Sequence, residues 1–443
     1  MKAVRKRIPA ILLAVVLLLG VVPGCSAGDE AVTVREYISA AEAVAVAAEV
    51  AASSVYIDVS GWDEYFVAML LRMSERDRYS GLFSGEYLVR EQAAQVTVLH
   101  VSIGLGVSCL EGIQHFTALE ELNIPNHSLT TLDLSGNPNL RRLYVRFGNL
   151  TSLDVSNNPA LEHLEASNNN LTSLDVSNNP ALREIWVHYN QLTELDLSGS
   201  PGLRVLIANL GNLTSLNVSN NPELEYLSVW ANNLTELDVS NNPALVGLNA
   251  SRNRLTVLDV SRNYVLRGLT VTSNRLTALD VSNNPALETL DVGSNNLTSL
   301  DISSNPALER LFVFHNRLAS LDLSNNPALE TLVVSENNFA TLDVSNNPAL
   351  ERLEASRNNL TALDVSNNPA LEWLYVSRNN LTALDVSGNP MLFSLMVDEN
   401  NLTSLDLSGN PKLTQLNISH NNIAEPDLLN TPNLRWFRAE SNN

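Results

Sequence analysis

Cysteine is nearly absent from this chain. Cys25 and Cys109 are the two cysteines in 443 residues, so no disulfide framework holds it together and stability has to come from apolar packing. Cys109 lies among apolar neighbours in "GVSCLEGI" and reads as a small buried residue. Positive charge is short as well: 27 Lys and Arg stand against 48 Asp and Glu, a net of −21, or −25 with Lys2, Arg5, Lys6 and Arg7 set aside (23 against 48). A field of that sign repels nucleic acid and anionic headgroups and favours basic or neutral partners. HExxH, GxSxG, P-loop and Cys-x-x-Cys motifs are all missing, and the seven histidines are scattered. No nucleophile, zinc or phosphate chemistry is signalled, and no enzyme is expected.

Apolar runs are confined to the start. "MKAVRKRIPAILLAVVLLLGVVPGCSAGDE" places four cations before an apolar stretch from Ile8 to Val22, the pattern of a secretory signal and too short for a comfortable membrane span. "VPGC" resembles a lipobox, which implies an acylated Cys25 after removal of the signal, so that a lipid is the one contact with a membrane. Cleavage after Ala27 is the alternative. We assign 1–25 as the signal and 26–97 as a helical tether and cap. Within the latter, "TVREYISAAEAVAVAAEVAAS" reads as a helix, and "GWDEYFVAMLLRM" puts Trp62, Tyr65, Phe66, Met69, Leu70 and Met73 on one helical stripe. Residues 98–128 are assigned as an entry coil.

From Leu129 onward one phrase restarts every 21 residues without insertion or deletion, giving fifteen units that fill 129–443. "LTSLDVSNNPALEHLEASNNN" and "LTSLDVSNNPALREIWVHYN" are consecutive copies. Within a unit numbered 1 to 21, positions 1, 4, 6, 12, 15 and 17 are almost always apolar, and position 12 is Leu in all fifteen. Positions 15–17 and 4–6 alternate in and out with period 2, so each unit has two strand-like segments. Position 20 is Asn except at Gly148 and Gly211, and position 9 is Asn except at Ser200 and Thr431. An Asn amide can donate and accept, so stacked copies can satisfy the backbone where the chain bends into the core. Position 10 is Pro except at Tyr264, which fixes φ at a corner.

A fixed short period with L-x-x-L-x-L-x-x-N spacing is the mark of a leucine-rich-repeat solenoid. The chain resembles bacterial leucine-rich-repeat proteins with nested 21-residue units, and more loosely the internalin-like surface proteins; "SCLEGIQHFTALEELNIPNHSLTTLDLSGNPNL" looks like that group's approach to the first coil. The resemblance implies a mainly β, right-handed solenoid of parallel strands, one or two per coil, with a small N-terminal α-helical cap, displayed outside the cell for recognition. That group often has an acidic calcium-type loop before the repeats. Here "RDRYSGLFSGEYL" offers Asp77 without alternating carboxylates, and no calcium is assigned there.

Comparing units shows which letters vary. Position 5 is Asp in fourteen units and Asn217 in the other, and position 7 is Ser in the first fourteen. The outward positions 14, 16 and 18 vary freely, and all four repeat-region tryptophans fall there: Trp186, Trp230, Trp373 and Trp436. Tyr144, Tyr226, Phe312, Phe314 and Tyr375 join them. Exposed aromatics on a rigid sheet are unfavourable unless a partner covers them. Two clusters are expected to bind a protein or glycan, one of Trp186, His188, Tyr189, Tyr226 and Trp230, the other of Phe312, Phe314, His315, Trp373 and Tyr375. The competing reading is a spacer or self-associating coat protein with cations, calcium among them, along a ladder containing Asp259, Asp280, Asp301 and Asp322. The plainer alternative is a solvated stripe hydrogen-bonded by Ser and Thr hydroxyls that contributes solubility; mutual repulsion along the ladder would raise the aspartate pKa values.

Overall fold

A computed structural model describes residues 56–60, 62–74, 82–84, 87–101 and 106–442. Cys25, the signal and the Ala-rich segment lie outside the described residues, as does Asp77.

Every leucine slot of the repeat is spent on one continuous core. Leu140, Leu143 and Val145 of the first coil, and their counterparts down to Leu413, Leu416 and Ile418 in the fourteenth, are at most 3% exposed. Between them run short strands, each three residues long. The first is β4 (Val98–His100), the next β5 (Glu121–Asn123), and each of the fifteen coils then adds one, from β6 (Arg142–Tyr144) to β20 (Trp436–Arg438). All pair in parallel with their chain neighbours, and the register is the repeat itself: Leu269 lies beside Leu290, and Leu290 beside Leu311. From β4 to β19 the middle residue of each strand is buried in the core, whereas Phe437 of β20 is exposed.

The expectation of a second strand at positions 4–6 is corrected. That segment makes a single isolated bridge, Asp175 to Asp196, among the described residues. The cause is the aspartate at position 5, whose Oδ1 accepts the backbone N–H of position 7 in the same coil, as at Asp280 and Ser282 (2.9 Å). Tight turns follow, with Asn284 N–H donating to Val281 C=O and Leu287 N–H to Asn284 C=O, both at 3.1 Å. A backbone bent on itself in this way has no row of donors to offer the next coil.

The two asparagine ladders form as expected but are built differently. At position 20, Asn295 Nδ2 donates to Val271 C=O of the previous coil and Val292 C=O of its own, both at 3.0 Å, and its Oδ1 accepts Leu276 N–H at 3.0 Å. At position 9, Asn284 Nδ2 donates to Val260 C=O (3.0 Å) and Asn263 C=O (2.9 Å), while no protein donor reaches its Oδ1. The same holds in all thirteen coils with Asn at that slot. Gly148 departs from the ladder for a reason visible one coil earlier. The ring of His127, accepting Leu129 N–H at 3.2 Å, fills the space where a Cβ on Gly148 would stand.

At the N-terminal end, β1 (Tyr56–Asp58), β2 (Phe83–Ser84) and β3 (Tyr87–Val89) form a small antiparallel sheet, with α1 (Glu64–Ser74) and a short α2 (Arg90–Ala93). Phe66 and Leu70 of α1 are fully buried, but Tyr65 is 41% exposed and does not belong to the apolar stripe proposed for it. Asp63 fastens this cap. Its Oδ1 accepts Tyr65 and Phe66 N–H at the start of α1, and its Oδ2 accepts both N–H and Oγ–H of Ser108. Cys109 is exposed rather than buried, because the chain at this point faces outward and its Sγ accepts Glu111 N–H at 3.3 Å.

Candidate recognition face on the strand ladder

One residue per coil sets the edge of this face. Position 19, just past each strand, has φ between 52° and 59° in all fifteen coils, from Phe147 to Ser441, and none is glycine. A left-handed L-residue costs about 1–2 kcal/mol, and the ladder bonds on either side hold it there, as where Ala231 N–H donates to Ser251 C=O (2.9 Å). The turn ends the strand and sets the rim where the chain leaves the sheet. Sequence reading missed it because the slot holds residues as different as Phe147, Ala231 and Glu336.

The outward side chains of positions 14, 16 and 18 cover the ladder between the rims. Trp186 and Tyr226 are exposed (36% and 48%), while Tyr144, His188, Trp230, Phe312, Phe314, Trp373 and Tyr375 are half-buried against neighbours on the same face. A run the sequence did not show joins Tyr144 to Trp186. His163, in the coil between them, lies 4.8 Å from the Tyr144 ring and 6.4 Å from Trp186, with its Nδ1 3.0 Å from Glu184. His188 packs edge-on to Tyr189 at 5.8 Å, and burial lowers its pKa.

The second expected cluster resolves into two. Phe312 is on β14 (Arg310–Phe312), whereas Trp373 and Tyr375 are on β17 (Trp373–Tyr375). Three coil steps separate them, about 14 Å at the usual strand spacing. Arg352 stacks over Tyr375 at 5.9 Å, and Arg252 over Trp230 at 5.9 Å. Near the first strands, Glu121 takes His100 and Arg142 at 2.6 Å each; burial would raise its pKa, and these two bonds overcome burial and lower it.

The aspartate stripe lies away from this face, and its expected titration is corrected. Asp259, Asp280, Asp301 and Asp322 have pKa values below the ordinary carboxylate value, because the hydroxyl and backbone N–H of the serine two residues on bond to each carboxylate. Neighbouring aspartates push upward more weakly. The repulsion that motivated cation bridging is therefore offset within each coil. Among the described residues no three His, Cys, Asp or Glu side chains gather as a metal-binding group, and no helix is long and apolar enough to cross a membrane.

Parallel strands stacked one per coil over leucine and asparagine ladders define a leucine-rich-repeat solenoid. Sequence profiles agree: one described as "Leucine Rich repeats (2 copies)" matches 159–199, and one described as "Leucine Rich repeat" matches 126–146 and 409–427. No match is found among curated proteins. Among solved structures, the functional domain of InlJ from Listeria monocytogenes, which includes a cysteine ladder, superposes with a TM-score of 0.72 at 31% identity, over 81% of this chain and 80% of that one. YopM, a leucine-rich effector protein from Yersinia pestis, gives 0.62 at 30% identity over 74% and 90%. The chain belongs to the leucine-rich-repeat proteins of the internalin-like bacterial kind. In place of a cysteine ladder, its own repeats stack asparagine.

Proposed function

We propose that this protein is an exported recognition scaffold that binds a protein partner through the outward side chains of its strand ladder. One observation carries the reading. In the same coils where core and asparagine-ladder positions hardly vary, positions 14, 16 and 18 vary widely and hold all four repeat-region tryptophans. Aromatic side chains held by rigid strands lose little entropy on binding and supply hot spots. Display outside the cell is read from the signal in 1–25, and anchoring from a lipid on Cys25.

The test is recovery of partners from host-cell and bacterial-envelope extracts by the wild-type chain and by a Trp186→Ala/Trp373→Ala variant. A protein retained by the first and lost by the second supports a recognition face. Equal recovery by both, or none by either, favours the spacer reading. A glycan retained in place of a protein would change the partner class without moving the face.

A further inference from the structure

Resting on that reading, we infer that coils five to nine form a trough for an acidic, extended peptide segment of the partner, gripped by an arginine rim on one side and by aromatic walls at its two ends. The walls lean towards the same middle coil from opposite edges of the ladder, Tyr226 at position 14 and Phe314 at position 18. The ring of Tyr226 lies over Gly247 of the next coil, within 2.9 Å of where a Cβ would stand, and the ring of Phe314 lies over Gly293 of the preceding coil, within 2.4 Å of the same point. Between them the floor is small. Gly268 stands midway, and a Cβ there would meet nothing within 4 Å. Thr270 and Thr272 share its coil, and Asn249 and Asp291 occupy position 16 on either side. Four strand steps along the ladder, about 19 Å, and four residues across it, about 13 Å, separate the two walls by about 23 Å, which is the length of about seven extended residues.

Charge selects the occupant. Residues 213–317, which span coils five to nine, contain seven arginines and ten carboxylates in a chain whose net charge is −21. Four of those arginines, Arg252, Arg254, Arg275 and Arg317, line one rim at positions 19 and 21, are exposed, and make no ion pair with any described residue. In a protein with nearly twice as many acids as bases, elsewhere on the ladder arginine usually has a glutamate: Arg141 has Glu162, Arg204 has Glu225 and Arg378 has Glu399. Three of the four rim side chains are held in place by other means. Arg252 stacks on Trp230, Arg254 donates to Asn233 Oδ1 at 2.8 Å, and Arg317 donates to Asn296 Oδ1 at 3.2 Å. Guanidinium groups fixed in this way keep donors free for carboxylates.

A peptide fits better than a sugar because two of the floor's side-chain acceptors are already taken within the ladder. Asn249 Oδ1 already accepts Ser251 N–H at 3.1 Å, and Asp291 accepts Gly293 N–H at 3.1 Å and the Thr272 hydroxyl. Ser251 is the exception, nine-tenths buried one coil on from Trp230, with an Oγ that has no partner. What remains open is ring surface at the two ends and positive charge along one side. An extended chain offers the complement, with apolar side chains as anchors and acidic ones between them.

The experiment is selection of random peptides of about twelve residues on the full chain, followed by affinity measurement on the enriched sequences by fluorescence anisotropy. On an acidic protein, non-specific selection enriches basic peptides. We expect peptides with two or more Asp or Glu between apolar anchors, whose binding weakens between about 0.05 and about 0.5 M salt. Replacing Arg252, Arg254, Arg275 and Arg317 together by Gln weakens that binding about tenfold or more, and Gly268→Trp, which fills open floor, abolishes it. The Trp186→Ala/Trp373→Ala variant leaves it within about twofold, so failure here and failure of the general recognition reading are told apart. Basic sequences, no enrichment, unchanged affinity in the arginine variant, or preferential binding of oligogalacturonate would each overturn the proposal.

Discussion

Asn284 and Asn295 occupy one coil, are both buried, and differ in what they leave unpaired. Every polar atom of the Asn295 amide is bonded, whereas Asn284 uses its Nδ2 alone. The chain has already replaced the second kind twice, by Ser200 and Thr431. Ser200 stands in that slot and its Oγ donates to Asn179 C=O at 3.1 Å. Asn284→Ser removes an unpaired acceptor and keeps a donor, so its cost should stay below about 1 kcal/mol, against about 1–3 kcal/mol for Asn295→Ser, which strands Leu276 N–H. Urea unfolding of the two variants compares them directly, and equal losses would mean that the two ladders are energetically alike. Both ladders were legible in the sequence because the same letter recurs in phase with the leucines. Their difference was not, since it depends on which carbonyls and N–H groups the bend brings within reach.

Away from the strand ladder the element is the turn at positions 5 to 9, repeated coil after coil, and it sets the response to acid. The aspartates of this turn have folded pKa values below their unfolded ones through bonds from the following serines. A depressed carboxylate stabilises the fold above the unfolded pKa, and that contribution is lost as pH falls through the folded value. The melting temperature should therefore drop below about pH 4, and Asp280→Asn with Asp301→Asn should make the drop shallower. A protein more stable in acid than at neutrality would restore like-charge repulsion as the governing effect. Sequence reasoning weighed serine and threonine hydroxyls on the aspartates but let like-charge repulsion set their titration, and so obtained the opposite sign. The serine two residues on was visible, but the turn that brings its N–H and hydroxyl onto the carboxylate was not. The trough escaped for a related reason: Gly268 and Thr270 give no sequence signal, and they matter only because Tyr226 and Phe314 stand two coils away on either side.

On the scale of the whole molecule, stability is distributed. Each strand pairs only with its chain neighbours, so a coil contributes its own core and two interfaces. Removing 381–401 joins Asn380 to Leu402 in phase, and the shortened protein should fold with a denaturant slope lower by about one part in fifteen. Removing 381–400 leaves every later leucine one position out and should destroy the C-terminal coils. Circular dichroism and urea titration of the two deletions decide this, and similar behaviour by both would contradict a stack built on strict register. The number of coils and their shared core could be read from the spacing alone, because a leucine at position 12 in all fifteen units admits one phase.

That phase has a consequence for inheritance. Because neighbouring units are nearly the same sentence, a gene encoding them is prone to unequal crossing-over between copies. Each such event adds or removes a coil without disturbing the frame of those around it. The rod can thus lengthen or shorten in whole steps across generations while its surface letters drift independently, so that reach and specificity are adjusted by two separate kinds of mutation.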